Sequence, residues 1–472
     1  MPISFGTDGW RAVIAQDFTF DNVRACAQGV ALHVRESGLV DMGVVVGYDT
    51  RFASEDFARA AAEVLAGNGI RAYLTPRPTP PPVIRFAVGL QHAAGGIIIT
   101  ASHNPYKYNG FKYRTPDGAS APREVLENIE RHIQRTLSEG PTRSLPLLLA
   151  RKEGMVQDLD PLPAYLEQVR RLVPVDDIKG AGLKVAVDSM YGAGAGYVKA
   201  LLEGGRTRVL ELHSERNPLF PGIRPEPIAE NLKELSQAVT QEGAQVGLAT
   251  DGDADRMGVV DEKGNFLSPA QVFPLLALYL LEVRGERGAI AKTVTSSRML
   301  SRLGELFGVP VFETPIGFRY VAPMMVKEKA LLGGEESGGY GFRGHVLERD
   351  GILGGLFFLD LMLKTGKSPS QLVDYLFKKV GTHSFHRLDL TYAPERASDI
   401  QKAVQEAAPK LLAGQKVVSR DTVDGFRFTM ADGSWLLVRF SHTEPLLRIY
   451  AEGLSAQQVE KLINSGKRLA GL

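Results

Sequence analysis

A short run of apolar residues, then a turn, then an amphipathic stretch recurs along this chain, and this pattern constrains the fold most strongly. Within each run the apolar residues do not alternate with polar ones, which is typical of strands that are buried on both faces. Such strands need helices above and below a largely parallel sheet, so the pattern predicts an α/β fold. The runs lie at residues 44–46, 97–99, 184–187, 246–249 and 289–291.

Length and composition exclude several classes of protein. The 472 residues suggest three domains, or four small ones, at about 150 residues per domain. The net charge of +1 argues against a dedicated nucleic-acid binder. Cys26 is the only cysteine, which rules out an intrachain disulfide and favours a reducing cytoplasm. We find no signal-peptide pattern, and the longest apolar stretch, residues 272–283, is too short to span a bilayer.

The last hundred residues change character. Beyond Thr382 we predict a strand at 384–390, a helix at 394–412, a hairpin of strands 426–430 and 435–440, a strand at 447–451 and a helix from Ser455. This order predicts a separate α+β domain.

An acidic loop at residues 251–256 is the strongest local signal. Asp251, Asp253 and Asp255 alternate after a buried strand, so three carboxylates can converge on one hard divalent cation. A calcium loop of the EF-hand type fits poorly, because Arg256 takes the sixth position, where that loop needs glycine, and the flanks look like strands. A solvated acidic turn is disfavoured, since unpaired carboxylates would repel one another without a cation.

A second polar loop follows the apolar run at 97–99. It contains Ser102 and His103, and Lys112 lies ten residues beyond Ser102. A serine needs a base or a metal-bound acceptor to become a nucleophile. Taken alone, the loop is equally well explained as a turn. Its combination with the acidic loop favours a catalytic role.

Residues 333–339 form a glycine-rich loop. Glu335 and Ser337 stand between glycines, where they could hydrogen-bond sugar hydroxyls, although a flexible turn is the simpler interpretation of this loop alone. Lys292, at the end of another strand, could face a sugar or be an ordinary surface lysine.

Residues 439–448 combine arginine, serine and threonine on a loop between strands. A guanidinium, two hydroxyls and the loop amides can together bind a dianion. The alternative is that Arg439 and Arg448 are ordinary surface arginines at strand ends.

Together these loops resemble those of the α-D-phosphohexomutases, a family that includes phosphoglucomutases and phosphomannomutases. The resemblance covers nearly the whole chain. It rests on four motifs in the family's order, at residues 100–105, 251–256, 334–339 and 439–448, and on the similar opening at residues 5–11. It implies three similar mixed-sheet α/β domains followed by a smaller α+β C-terminal domain, arranged around a central cleft. We expect the domains at 1–145, 146–256, 257–368 and 369–472, each contributing one loop to the site.

The resemblance also implies a role for each matching residue. Ser102 would carry the phosphoryl group and, with Asp251, Asp253 and Asp255, would hold Mg²⁺. The reaction centre would be lined by Arg11, Lys112 and Arg256, with Lys112 or His103 transferring protons. The sugar hydroxyls would be bound by Glu335 and Ser337. The loop that distinguishes the orientation of the sugar would contain Thr314, Gly317 and Arg319. The phosphate that is not transferred would be bound by Arg439, Ser441, Thr443 and Arg448.

Two positions depart from the family's pattern. His442 stands where the family more often has glycine or asparagine, and we expect little effect from it. Gly339 stands where phosphomannomutases and phosphoglucosamine mutases often have histidine, and this absence shifts proton transfer towards Lys112. Residues 335–338 look more like those of glucose-preferring members.

We therefore predict reversible phosphoryl transfer between C1 and C6 of a hexose phosphate, with glucose 1-phosphate and glucose 6-phosphate preferred. Phosphoserine and hexose 1,6-bisphosphate would be intermediates, and the bisphosphate also an activator. The alternatives are a phosphomannomutase or dual-specificity enzyme, a phosphoglucosamine mutase and, outside the mutases, a serine phosphatase or a non-catalytic sugar-phosphate binder. The expected partner is a small sugar phosphate rather than nucleic acid or membrane, and the chain would be a monomer or homodimer.

Overall fold

The computed structural model describes residues 3–6, 8–140, 142–440 and 446–472. The chain divides into two compact units. The first comprises Met1–Pro269 and Ser337–Ser370, and the second comprises Ala270–Glu336 and Gln371–Leu472. No helix among the described residues has both the length and the apolar character that crossing a bilayer requires.

A mixed sheet of six strands opens the first unit. Its strands are β1 (Trp10–Val13), β2 (Val44–Tyr48), β3 (Ala72–Leu74), β4 (Gly96–Ile99), β5 (Tyr108–Arg114) and β6 (Val156–Asp158), in the order β1-β5-β4-β2-β3-β6. β5 runs antiparallel to both of its neighbours, and the other pairs are parallel. Every residue of β2 and β4 is buried, as the unbroken apolar runs predict. The helices of this part are α1 (Phe20–Glu36), α2 (Ser54–Gly67), α3 (Pro81–Gln91), α4 (Arg123–Glu139) and α5 (Leu147–Lys152).

A second sheet in the same unit carries the acidic loop. Its strands are β7 (Lys184–Asp188), β8 (Arg208–Leu212), β9 (Val246–Thr250), β10 (Met257–Val260) and β11 (Phe266–Leu267), in the order β11-β10-β9-β7-β8. Thr250 of β9 lies opposite Met257 of β10 in an antiparallel pair, so residues 251–256 close a hairpin. The helices are α6 (Leu162–Leu172), α7 (Val175–Gly180), α8 (Tyr197–Leu202) and α9 (Lys233–Glu242).

The middle of the chain contributes to both units. Its elements are α10 (Pro269–Leu278), continued by a π-helical turn (Tyr279–Val283), β12 (Ile290–Thr293), α11 (Met299–Phe307), β13 (Val311–Thr314), α12 (Phe318–Lys327), β14 (Leu332–Gly334), β15 (Tyr340–Phe342), α13 (Gly351–Thr365) and α14 (Pro369–Val380). β12 pairs in parallel with both β13 and β14 in the second unit. β15 and α13 belong to the first unit.

An antiparallel sheet ends the second unit. Its strands are β16 (Ser384–Thr391), β17 (Leu411–Leu412), β18 (Gln415–Asp421), β19 (Phe426–Met430), β20 (Trp435–Phe440) and β21 (Leu446–Gly453), in the order β16-β21-β20-β19-β18-β17. Two helices, α15 (Ala397–Glu406) and α16 (Ala456–Leu469), contribute Val404 and Leu462 to its apolar core. Short 3₁₀ turns lie at Val40–Met42, Ala229–Asn231 and Pro394–Arg396.

The predicted α/β class and the α+β class of the final part are confirmed. So are the predicted hairpin, which is β19 and β20, and the closing helix, whose first turn is capped by the Ser455 side chain.

Three details of the predicted secondary structure need correction. The helix predicted over 394–412 ends at Glu406, because the backbone is already extended at Ala407 and Pro409 cannot donate to a helix. β18 was not predicted, since most of its side chains are exposed and carry no continuous apolar signal. The stretch at 140–163 is interrupted by prolines and has no sustained hydrophobic period, which predicts a linker with one short strand; it also contains α5.

Candidate active site

The serine loop begins where β4 ends and holds Ser102 in an unusual conformation. Ser102 has φ +51°, in the left-handed region that non-glycine residues rarely adopt. Its backbone N–H donates to the hydroxyl of Thr100 at 2.9 Å, and its side chain is almost completely buried. A strained residue of this kind persists only where its surroundings hold it firmly, and such residues cluster at functional sites.

The acidic loop is folded around Asp251. One oxygen of Asp251 accepts hydrogen bonds from the backbone N–H groups of Asp255 and Arg256, at 3.0 and 3.1 Å. Each of Asp251, Asp253 and Asp255 offers a carboxylate oxygen, and the three oxygens lie within 4.8 Å of one another. The flanking elements are strands, as expected, so the loop has the geometry of a hairpin tip and not of a helix–loop–helix calcium site.

These two loops meet within the first unit. The Ser102 hydroxyl donates to Asp251 at 2.8 Å, and the Thr100 hydroxyl donates to Asp253 at 3.3 Å. The carboxyl ends of β4 and β9 therefore bring together residues that are 149 positions apart in the chain. This contact joins the two strongest signals of the sequence.

Lys112 is completely buried between two carboxylates. Its ammonium nitrogen lies 3.1 Å from Asp253 and 2.8 Å from Asp8. Burial lowers the pKa of Lys112, but the charges of Asp253 and Asp8 outweigh it and leave the pKa above its ordinary value. Lys112 is therefore protonated at neutral pH.

His103 has the opposite character. Its Nδ1 lies 3.3 Å from the Ser102 hydroxyl oxygen. Burial, and then the positive charges of Arg256 and Arg11, hold the pKa of His103 well below its ordinary value. The imidazole is therefore neutral at neutral pH, with one ring nitrogen that donates a hydrogen bond and one that accepts.

The two arginines predicted at the reaction centre both contact these loops. Arg11 donates to the side chain of Asn104, in the serine loop, at 2.7 Å. Arg256 lies 3.6 Å from Glu226 and 3.8 Å from Asp255, and its buried Nε has no hydrogen-bond partner among the described residues. An arginine held this way retains donors that a phosphate could take.

The acidic triplet fits a hard divalent cation. Burial, followed by repulsion from Asp253 and Asp255, raises the pKa of Asp251 well above its ordinary range, and burial raises the pKa of Asp255 to about 6. Burial opposes ionisation of Asp253 as well, but the charge and hydrogen bond of Lys112, the hydrogen bond with Asp251 and the charge of Arg349 together outweigh it and lower the pKa of Asp253. One oxygen each of Asp253 and Asp255 is buried without a hydrogen-bond partner among the described residues, and three converging carboxylates are suitable ligands for Mg²⁺.

The last residues of the glycine-rich loop, Ser337 to Gly339, belong to the first unit, and Gly338 contacts the residue that follows the acidic loop. Gly338 has φ +91°, its carbonyl accepts from the Met257 N–H at 2.9 Å, and a Cβ there would lie 2.6 Å from the Met257 carbonyl. Ser337, half-buried, therefore lies beside the end of the acidic loop. A Cβ on Gly339 would come within 2.4 Å of Arg349, which donates to Asp255 at 2.5 Å. The space that a histidine at 339 would need is thus taken by Arg349.

The predicted sugar-orientation loop lies in the second unit. Thr314 is buried at the end of β13, Gly317 precedes α12 with φ +124°, and Arg319 stacks on Tyr320 in the first turn of that helix. The Ile316 N–H between them donates to Asp424 at 2.8 Å.

The same aspartate ties this loop to the predicted phosphate cradle. Asp424 also accepts from Arg439 at 2.7 Å. Arg439 of β20 lies directly opposite Arg448 of β21, and the Nε of Arg448 is buried without a hydrogen-bond partner among the described residues. Like charges placed opposite one another across strands repel, and Asp424 beside Arg439 and Asp389 at 3.7 Å from Arg448 offset part of this repulsion. Arg439 is buried, so the surface interpretation is wrong for that residue, whereas Arg448 is half-buried. Ser441, His442 and Thr443 lie outside the described residues.

Two further predicted positions in the second unit are buried. Glu335 is 5% exposed. Lys292 is 2% exposed and pairs with Glu313 at 2.8 Å, so the interpretation of Lys292 as an ordinary surface lysine is wrong.

Three charged residues at the site were missed at the sequence level. Asp8 binds Lys112 and Arg114, and Arg349 binds Asp255. Arg51 contacts the backbone of the serine loop. These three residues lie far apart in the chain. Only Asp8 could have been found from the sequence, because it lies in the opening motif at residues 5–11.

Comparisons with known proteins give one consistent result. The chain matches all four domain models of phosphoglucomutase/phosphomannomutase: α/β/α domain I at residues 2–139, domain II at 163–264, domain III at 268–380 and the C-terminal domain at 394–465.

Similar full-length proteins carry different substrate names. A Thermococcus kodakarensis protein described as phosphoglucomutase/phosphomannomutase is 31% identical over 465 residues, covering 98% of each chain. A Carboxydothermus hydrogenoformans phosphoglucosamine mutase is 30% identical over 471 residues, covering 98% of this chain and 97% of that one. A crystal structure of a Thermus thermophilus protein, described provisionally as a phosphomannomutase, is 36% identical, covers 100% of both chains and has a TM-score of 0.86.

Proposed function

Because this chain belongs to the α-D-phosphohexomutase superfamily, we propose that it moves a phosphoryl group reversibly between C1 and C6 of a hexose phosphate, with glucose preferred. Ser102 carries the phosphoryl group. In the first transfer the P–O bond to Ser102 breaks as the free hydroxyl of the monophosphate forms a new P–O bond, and the proton of that hydroxyl ends on the Ser102 oxygen. In the second, the other phosphate of the resulting hexose 1,6-bisphosphate returns to Ser102, and the serine proton ends on the sugar oxygen that is released.

One observation carries this proposal above the others. The Ser102 hydroxyl is buried and lies 2.8 Å from Asp251 within a group of three convergent carboxylates. A protein that only bound sugar phosphates would have no need of a hydroxyl held in a strained conformation beside a cation site.

Lys112 and His103 differ as candidates for proton transfer. Lys112 is protonated and can donate to an oxygen that develops negative charge, whereas neutral His103 is within hydrogen-bond reach of the Ser102 hydroxyl, at 3.3 Å, and its lowered pKa makes it the weaker candidate for the base. Arg11 and Arg256 hold the phosphoryl oxygens by charge-assisted hydrogen bonds.

Asp251, Asp253 and Asp255 would hold Mg²⁺, with Ser102 supplying a further oxygen. When bound, Mg²⁺ offsets the charge of a phosphoryl group. One oxygen of Asp253 and one of Asp255 have no hydrogen-bond partner in the part of the chain that the structure describes, and this supports the assignment.

The phosphate that is not transferred binds to Arg439 and Arg448, with Ser441 and Thr443 contributing their hydroxyls. The two arginines face one another across strands, and the Nε of Arg448 has no hydrogen-bond partner among the described residues, which supports an anion at this position. Glu335 and Ser337 bind sugar hydroxyls, and Thr314, Gly317 and Arg319 read the orientation of the sugar.

The preference for glucose rests on the glycine-rich loop. Residues 335–338 are similar to those of glucose-preferring members, and Arg349 fills the space beside Gly339 in which a histidine side chain would stand. The substrate names of the relatives differ, so mannose 1-phosphate and glucosamine 1-phosphate are the competing substrates to test.

The test compares kcat/KM for glucose 1-phosphate, mannose 1-phosphate and glucosamine 1-phosphate with Mg²⁺ and hexose 1,6-bisphosphate present. We expect an isomerised sugar phosphate, fastest with glucose, and no net release of inorganic phosphate. Release of inorganic phosphate as the main product would instead identify a phosphatase.

The Ser102→Ala variant tests the carrier. We expect kcat to fall by at least about 10³-fold with the fold unchanged by circular dichroism, because the carrier hydroxyl is lost. Near-normal turnover in this variant would overturn the assignment of Ser102.

A further inference from the structure

Arg51 is a completely buried arginine between β2 and α2, and its guanidinium faces the serine loop. An arginine has five N–H donors in a rigid planar fork. All five of the donors on Arg51 have an acceptor. Nη2 donates to the carbonyls of Ser102 and Asn104, both at 2.6 Å, Nη1 to those of Pro105 and Tyr108 at 3.0 and 3.1 Å, and Nε to the Asp49 carboxylate at 3.1 Å.

Asp49 fixes the position of this guanidinium. Its Oδ1 accepts from the backbone N–H of Arg51 at 2.9 Å and from the Ser54 hydroxyl at 2.8 Å. Ser54 in turn accepts from Asn109, on β5, at 2.9 Å. The buried cation therefore has both a counter-charge and a fully hydrogen-bonded setting, as a buried ion pair requires.

Four of the five acceptors are backbone carbonyls of one segment, residues 102–108. This segment carries the serine with φ +51°, a conformation that its own sequence does not favour. From these contacts we infer that Arg51 is a positioning residue for phosphoryl transfer: it holds the backbone of residues 102–108 so that the Ser102 hydroxyl faces the acidic triplet. The inference rests on the proposed function of Ser102.

Arg51 acts through the number and arrangement of its N–H donors as well as through its positive charge. A lysine at this position would keep the positive charge but has three donors on one nitrogen, so it cannot reach four carbonyls and a carboxylate at once. Displacing reacting atoms by about 1 Å can cost about 100-fold in rate. The distal phosphate cradle uses other residues, so substrate affinity does not depend on Arg51.

The experiment uses the Arg51→Lys variant of the full chain with the hexose phosphate that the wild type turns over fastest. We expect kcat to fall by about 100-fold while KM changes by less than about threefold. Phosphorylation of Ser102 by glucose 1,6-bisphosphate, followed by intact mass, should slow by a similar factor. Hydrogen exchange of the amides of residues 102–108 should accelerate.

Arg85→Lys is the matched control. Arg85 is equally buried in the same unit, and its hydrogen bonds and ion pairs in the described part of the chain go to Leu347 and Glu348 rather than to residues 102–108. We expect this variant to lose stability to urea but to keep kcat within about threefold and to leave exchange of the serine loop unchanged.

The outcomes separate this inference from the proposed function. Wild-type protein that transfers no phosphoryl group defeats the proposed function itself. An active wild type with an Arg51→Lys variant of near-normal kcat and unchanged exchange at 102–108 defeats only the positioning role. Equal losses of kcat in the Arg51→Lys and Arg85→Lys variants would also contradict the positioning role, because they would show that Arg51 only stabilises the fold.

Discussion

Opposite shifts in pKa set the protonation of the side chains around Ser102. Lys112 keeps its proton because two carboxylates face it, and His103 loses its proton because burial and two arginines oppose a further positive charge. The same site raises the pKa of Asp251. A donor, an acceptor and a group of carboxylates crowded enough to favour a cation are thus produced by burial and charge alone.

The residues proposed to act on the phosphoryl group were easier to predict from the sequence than the charged residues that hold them in place. Ser102 and Asp251 were recognised because each lies in a polar loop directly after a buried apolar strand, the end at which open α/β sheets bind ligands. By contrast, Asp8, Arg51 and Arg349 were not assigned to the site. Each binds a backbone or a charged side chain that is distant in the chain, so no local sequence pattern marks that contact. Their roles depend on tertiary contacts that no spacing encodes.

Removal of the cation tests the acidic triplet. Mg²⁺ at about 100 times its Kd should stabilise the protein by about 2.7 kcal/mol, seen as an EDTA-reversible rise in Tm. Asp255→Asn should lose most of this rise because a ligand is removed. The control is Asp261→Asn, which changes a buried aspartate in the turn after β10 and should keep the rise. A full response in Asp255→Asn would show that the cation binds elsewhere.

His213 gives a pH-dependent contribution to stability away from the serine. Its hydrogen bond to Asp188 at 2.9 Å raises the pKa of His213 above 6.5, aided by Glu234 and opposed by partial burial. Because the folded pKa is raised, the contribution is complete below pH 6.5 and is lost as pH rises through the folded pKa.

The His213→Gln variant should therefore be less stable than the wild type by about 1 kcal/mol at about pH 6, and the difference should shrink by about pH 9. Urea unfolding at both pH values measures it. A difference that grows with pH would have the wrong sign for this interaction.

Secondary structure elements were predictable where they are buried and hard to predict where they are exposed. β2, β4 and β9 are buried at every position and were recognised from unbroken apolar runs. β18 is mostly exposed and was missed. The overlong helix at 394–412 shows the same limit, since its stop depends on one proline and on pairing of β17 with β18.

Strands β12 and β13 are joined by side chains as well as by their backbones. Lys292 and Glu313 are register partners, and Glu313 also pairs with Arg427 of β19 at 2.7 Å. Burial opposes ionisation of Glu313, but Lys292 and then Arg427 lower its pKa to about 2.

Because this folded pKa is depressed, the contribution of Glu313 is present above its unfolded pKa of 4.5 and is lost as pH falls towards about 2. Glu313→Gln should cost about 2 kcal/mol at about pH 7 and much less near about pH 2.5, measured as the difference in free energy of unfolding. Arg302→Gln, which removes an exposed ion pair with Glu305, is the control and should change stability by less than about 0.5 kcal/mol. An effect of Glu313→Gln that does not depend on pH would contradict the ionic account.

At the scale of the whole molecule, the order of four motifs along the chain carried the most information. Three of the motifs had, taken alone, a simpler interpretation as a turn or a charged surface, and the acidic loop alone indicated only a cation site. Their succession identified the family that the four domain models match. Two features stay predictions: the domain boundaries at 145, 256 and 368, and the arrangement of the domains around a central cleft. Both depend on how the domains pack against one another, which the apolar pattern of a single strand does not determine.

The central claim is that Ser102 carries the transferred phosphoryl group. The most direct measurement incubates the wild-type protein with glucose 1,6-bisphosphate and Mg²⁺, digests it and maps phosphorylation by mass spectrometry. The account predicts one phosphoryl group, on Ser102, that excess glucose 1-phosphate removes as sugar bisphosphate. A phosphoryl group on another residue, or none at all, would contradict it.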